Sequence, residues 1–126
     1  MPHFEVTIQT HFCAAHALRD YKGSTEPTHG HNFSVDVTVS GPKVDKSGIL
    51  VDFLDLKPLI DEEMGRLHYG FLNERVPEFA EGKLSPSAEN IAYVLFTRLK
   101  KGLPKGVKMK SVRVGESPGC FASYTE

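Results

Sequence analysis

Two stretches of strict apolar–polar alternation constrain this chain more than any other feature. Residues 4–12 place Phe4, Val6, Ile8 and Phe12 on one parity and Glu5, Thr7, Gln9 and His11 on the other. Residues 32–40 repeat the pattern, with Phe33, Val35, Val37 and Val39 set against Asn32, Ser34, Asp36, Thr38 and Ser40. Successive strand side chains point to opposite faces, so each stretch predicts a strand with one buried face. Between them, "RDYKGSTEPT" has the Gly, Pro, Ser and Asp content of a loop. The polar set, joined by His3, must meet water or the wet interior of an assembly.

After a turn at "GPKVDKSG", the short run "ILVDF" leads to Asp52, a helix N-cap. Leu56, Leu59, Ile60, Met64 and Leu67 then recur at helical spacing, and Pro58 among them predicts a kink or a restart. "SPSAENIAYVLFTRLKK" predicts a second helix with Ser85 as N-cap and Pro86 at its first position. Its buried stripe is Ala88, Ile91, Ala92, Leu95 and Leu99. Residues 107–115 and 119–125 read as two more strands turning at Ser117-Pro118-Gly119, and a change of parity between Met109 and Val112 predicts a bulge. The order ββααββ predicts one α+β domain over residues 1–126: a four-stranded antiparallel sheet with two helices on one face.

Composition narrows the partners. The 126 residues are 40% hydrophobic and 25% charged, which suits a soluble domain able to bury a core without disulfides. Net charge is −1, and the one basic stretch, "KKGLPKGVKMK", reads as a solvated helix end and loop, so no nucleic-acid surface is expected. No segment reaches the roughly 18 apolar residues of a membrane span. "MPHFEVTIQT" alternates like a strand and reads as folded protein, not a signal peptide. Cys13 and Cys120 form no CxxC pair, so reduced thiols in a cytoplasmic protein are expected, with a single Cys13–Cys120 pairing left open.

The chemistry gathers in "EPTHGHNFSVDVTV". His29 and His31 share the face of Phe33, Val35, Val37 and Val39, and two imidazoles one strand repeat apart can hold one ion. Continuing the parity of the first strand puts His16 on the corresponding face. Three neutral imidazoles with an open fourth position form a catalytic zinc site. Taken alone, an HxH pair is equally compatible with strand-end histidines bonded to backbone.

"HFCAAHAL" followed by "EPTHGHNF" resembles the 6-pyruvoyl-tetrahydropterin synthase / 6-carboxy-tetrahydropterin synthase family. "GILVDFLDLK", "SPSAENIA" and "VGESPGC" are similar to its later elements, in family order over nearly the whole chain. The resemblance implies a tunnelling fold (T-fold), whose subunits join sheets into a barrel, usually a homohexamer made of two trimers. It implies Zn2+ on His16, His29 and His31, and a dihydropterin substrate whose guanidine-like edge is gripped by Glu116. Ser117 and Ser87 match positions lining that pocket.

Two departures bear on the reaction. The loop before HGH lacks the nucleophile-like cysteine of members acting on dihydroneopterin triphosphate, and Cys13 reads as small packing. The loop carries Glu26 instead, in the arrangement ExxHGH. This is similar to the branch that cleaves the dihydroneopterin side chain by a retro-aldol step, giving 6-hydroxymethyl-dihydropterin for folate synthesis. Second, the usual Asp-His pair is replaced in "LHYGFLN" by His68 and Tyr69. An ordinary tyrosine, with a pKa of about 10, serves at neutral pH as an acid. His68 would need a turned backbone to face the substrate. The expected activity is a zinc-dependent pterin lyase with Glu26 as base and His68 or Tyr69 assisting. The alternatives are 6-carboxy-tetrahydropterin synthase of the queuosine pathway and a pterin-binding homologue with little or no catalysis. A cupin is set aside, because no histidine follows His68 and helices occupy the middle of the chain.

Overall fold

Alternation carries both predicted strands further than their apolar residues suggest. In the computed structural model, which describes residues 3–126, β1 spans Phe4–His16 and β2 spans His29–Gly41. Each strand is therefore longer than the predicted 4–12 and 32–40, because Ala14 and His16 keep the buried parity and His29 and His31 extend it backwards. β3 (Lys108–Ser117) and β4 (Cys120–Thr125) complete one antiparallel sheet in the order β1-β2-β3-β4. The register pairs Val6 with Val39, Ile8 with Val37 and Phe12 with Phe33. Phe12 and Phe33 stack at 4.8 Å between ring centroids, as offset aromatic pairs prefer.

Two irregularities interrupt β3. Thr38 pairs with Ser111 and Val39 with Met109, leaving Lys110 as the extra residue of the predicted bulge. Gly115 pairs with Phe121 and Ser117 with Cys120, leaving Glu116 outside the ladder. A bulge re-aims the side chain it carries.

The helices cover the apolar face. Helix α1 (Phe53–Leu67) is capped as predicted, the Leu54 N–H donating to Asp52 Oδ1 at 2.9 Å. Pro58 does not interrupt it. The proline leaves the Leu54 carbonyl without its helical donor, and Leu54 stands exposed where water can serve. A single turn not anticipated, α2 (Leu72–Arg75), and a 3-10 turn at Pro77–Phe79 lead to helix α3 (Ala88–Leu99). The cap of α3 is Ser87, not the predicted Ser85. Ser87 Oγ accepts the Asn90 N–H at 3.1 Å, while Ser85 Oγ accepts the Arg19 N–H at 2.9 Å. Starting the helix two residues later frees the Pro86 carbonyl for the site described below.

Leu56, Ile60, Ile91, Leu95 and Phe96 meet Phe33, Val35, Val37, Val112 and Val114 in one core. No helix among the described residues is long and apolar enough to cross a membrane. Arg98 of α3 donates to both carboxylate oxygens of Glu78, at 2.8 and 2.7 Å, tying the 3-10 turn to the helix layer. These bonds hold the Glu78 carboxyl below the ordinary range, with burial opposing. A depressed carboxyl contributes stability above the unfolded pKa and loses it as pH falls through the folded one. Glu78→Gln should therefore lower stability by about 1 kcal/mol at pH 7, the scale of a partly exposed bidentate pair. That deficit should vanish in melts at the acid end of the folded range.

Candidate metal centre

The register that aligns the apolar residues also sets His16 directly opposite His29 and Ala14 opposite His31. His16 is fully buried, and the three ring centroids lie 4.7–5.2 Å apart with Phe33 against two of them. The Nε2 atoms of His16 and His29 are 3.2 Å apart. The bulged Glu116 brings Oε1 to 3.1 Å from His16 Nε2 and 3.3 Å from His31 Nε2. One donor atom from each of these four residues lies within 4.8 Å of all the others.

Hydrogen bonds on the far side of the rings decide the tautomers. His16 Nδ1 is 2.7 Å from the Pro86 carbonyl and His29 Nδ1 is 2.9 Å from the Pro27 carbonyl. A carbonyl only accepts, so each Nδ1 carries the proton, and in the neutral ring each Nε2 presents a lone pair. Two lone pairs at 3.2 Å with a carboxylate oxygen beside them call for a cation. Metal bonds of about 2.0–2.1 Å in a tetrahedron set ligand spacings of about 3.3 Å, close to those found here. The residues therefore fit a metal ion. Burial pushes the His31 imidazole below its ordinary range; Glu116 opposes this and the other two imidazoles reinforce it. A depressed value favours the neutral ring that a metal needs.

Glu26 flanks this centre. Its N–H donates to the Leu18 carbonyl and the Leu18 N–H donates to its Oε1, both at 3.0 Å. That pair of bonds fixes a mostly buried carboxylate 3.8 Å from His29 Nε2. Ser117 follows Glu116 and lines, with Asn32, Ser34 and Phe121, a depression of about 430 Å³. Ser87 caps α3 and does not line it.

His68 and Tyr69 are placed differently. His68 ends α1, and its Nδ1 accepts the Cys13 N–H at 3.3 Å. Tyr69 has the left-handed φ of 58° and is 84% exposed, and its ring stacks on His68 at 4.8 Å. Tyr69 lines a second depression beside Cys13, His31 and Asn32, but among the described residues no hydrogen bond, ion pair or ring contact links His68 or Tyr69 to the three histidines or Glu26. Cys13 is not core packing. It lies on the polar parity of β1, with Sγ 2.8 Å from Asn32 Oδ1.

Two supports of His16 carry no motif in the sequence. Pro86 supplies the carbonyl that orients the ring. Asn73, 8% exposed, donates to the Ala17 carbonyl at 2.7 Å and accepts the Ala17 N–H at 3.0 Å, fixing the residue after His16. The available signal was a polar residue inside the apolar set Phe71, Leu72 and Val76.

A family sequence profile described as 6-pyruvoyl tetrahydropterin synthase matches residues 5–126. A putative 6-carboxy-5,6,7,8-tetrahydropterin synthase of Archaeoglobus fulgidus is 36% identical over 93% of this chain and 91% of its own. A dihydroneopterin monophosphate aldolase of Pyrococcus furiosus is 34% identical over 88% of both chains. The Caenorhabditis elegans 6-pyruvoyl tetrahydropterin synthase structure superposes with a TM-score of 0.83 over 100% of this chain and 97% of its own, at 23% identity, a likeness of fold.

Proposed function

Because the chain belongs to the 6-pyruvoyl tetrahydropterin synthase family, we propose that it is a zinc-dependent pterin lyase. Its reaction is retro-aldol cleavage of 7,8-dihydroneopterin, or a phosphate ester of it, to 6-hydroxymethyl-7,8-dihydropterin. The observation that carries this reading is Glu26, pinned by Leu18 beside His29, where by the resemblance members acting on dihydroneopterin triphosphate carry a cysteine. The aldolase name of the Pyrococcus furiosus relative supports it.

His16, His29 and His31 hold the zinc, which supplies Lewis acidity toward the side-chain oxygens when bound. Glu26 accepts the proton of the second side-chain hydroxyl. The bond between the first and second side-chain carbons breaks, its electron pair moves toward the dihydropterin ring, and the first carbon is reprotonated. A two-carbon aldehyde leaves. Glu116 orients the pterin through its paired donor edge, a planar group suited to bidentate contact, with Ser117 at the same depression.

The working assembly is a homohexamer of two trimers. Its supports are the edge strands β1 and β4, the polar sheet face, and Tyr69 displayed outward from the rim. In that assembly Tyr69, held by His68, assists proton transfer from a neighbouring copy.

Glu26→Gln is expected to lower turnover about 10²–10⁴-fold with metal content unchanged, the usual scale for a lost general base. Turnover at the wild-type level would remove Glu26 from the mechanism. A 6-carboxy-tetrahydropterin synthase, the name of the Archaeoglobus fulgidus relative, is the second reading. It would convert dihydroneopterin triphosphate without releasing the aldehyde from dihydroneopterin.

A further inference from the structure

Glu116 stands in two environments at once. Its Oε1 lies 3.1 Å from His16 Nε2 and 3.3 Å from His31 Nε2, and the residue also lines the depression that holds Ser117 and Phe121. With His16 neutral, its contact with Glu116 is not a hydrogen bond. Nδ1 of that ring already donates to Pro86, so in the neutral ring Nε2 has no proton to offer a carboxylate. His29 Nε2 is in the same position and lies 3.2 Å from His16 Nε2. Three electron pairs thus converge where only a cation satisfies all of them. The carboxylate takes the fourth place in the set, at 3.1 and 3.3 Å from His16 and His31, close to a tetrahedral edge, and within 4.8 Å of His29.

The bulge leaves this carboxylate partly open to solvent on the side of the depression. Glu116 is the unpaired residue of the bulge between Gly115 and Ser117, so no ladder partner fixes its direction. Its side chain is 36% exposed, in contrast to the buried His16 beneath it.

We propose that Glu116 is the fourth metal ligand of the resting protein, and that a pterin opens the centre by drawing this carboxylate onto its own donor edge. The same side chain then closes the metal when no substrate is present and frees a coordination position when one arrives. This rests on the reading of Glu116 as the pterin's anchor under the proposed function. The ligation itself rests on the geometry alone.

The test uses the full-length protein loaded with Co2+, whose visible bands report coordination, and 6-methyl-7,8-dihydropterin, which has no side-chain hydroxyl to offer the metal. Chelator competition should give Glu116→Gln and Glu116→Ala a metal affinity at least about tenfold below wild type, in line with losses seen when metal-site residues are removed. Saturating pterin should change the wild-type Co2+ spectrum and leave both variant spectra as they were. Equal metal affinity in wild type and variants overturns the ligation. A lowered affinity with a wild-type spectrum unmoved by bound pterin overturns the displacement, making Glu116 a fixed ligand. Equal pterin affinity in wild type and Glu116→Ala refutes the anchoring and the displacement with it, while the chelator result still judges the ligation. If the variants fail to fold, X-ray absorption of zinc-loaded wild type decides. One carboxylate oxygen beside three imidazoles, lost on adding pterin, supports the proposal, and a centre unchanged by pterin refutes it.

Discussion

His16→Ala is expected to yield protein with little bound metal and turnover reduced about a thousandfold or more. A bound metal contributes several kcal/mol to a transition state, and each 1.36 kcal/mol is a factor of ten. His16 should matter more than its two partners because it is the buried member. Its Nδ1 is fixed by Pro86 and its Nε2 meets both His29 and Glu116. Removing the ring also leaves the Pro86 carbonyl without its donor, an additional cost of about 1–3 kcal/mol. Metal analysis, a melting curve and a turnover assay on the same preparation test all three consequences. A variant that retains a full equivalent of metal would remove His16 from the ligand set.

Asn73→Leu is the second large effect, at about 2–4 kcal/mol of stability. Leucine nearly matches the shape of asparagine but can bond neither the Ala17 carbonyl nor its N–H. Each buried group left unpaired costs about 1–3 kcal/mol. Ala17 follows His16, so the loss reaches the centre through one peptide, and metal affinity should fall about 10–100-fold as for other supports of a ligand. Asn73→Asp should do nearly as much harm, because a carboxylate accepts the N–H but repels the carbonyl. Denaturant unfolding and chelator competition measure the two effects separately. A stability loss below about 0.5 kcal/mol would mean that Asn73 does not clamp Ala17.

Much of this architecture could be read from local pattern. Period-two alternation is set by strand geometry itself, so the parity of Phe4, Val6, Ile8 and Phe12 extended correctly to His16. The same rule put His29 and His31 on the matching face, and the parity change near Met109 located the bulge at Lys110. What escaped was set by contacts between distant segments. The cap of α3 moved from Ser85 to Ser87 because Ser85 is claimed by Arg19. Nothing near Ser85 in the chain announces that bond. The restart expected at Pro58 does not occur, and the carbonyl it leaves without a helical donor belongs to the exposed Leu54. The turn of backbone at Tyr69 depends on β1, whose Cys13 carbonyl accepts the Tyr69 N–H and whose Ala15 N–H donates to Gly70.

The site divides the same way. The convergence of His16, His29 and His31 at the strand ends was legible, because a ladder fixes where their side chains point. Glu116 enters from the sequence only through the family resemblance, as an expected pterin anchor. Its approach to the imidazoles depends on the second bulge, which no alternation in "VGES" reveals. His68 and Tyr69 were placed in the chemistry by their position in the chain. The fold turns them toward Cys13 and outward, so within one chain they stand apart from the centre they were expected to serve.

Product identification on the metal-loaded protein decides whether the chain is an aldolase. Dihydroneopterin and its mono- and triphosphates are each incubated with the protein, and the products are resolved by mass. At least one of them is expected to give 6-hydroxymethyl-7,8-dihydropterin, with one equivalent of glycolaldehyde or its corresponding phosphate ester. A product that keeps all three side-chain carbons, a 6-carboxy product, or no product from any of the three would contradict it.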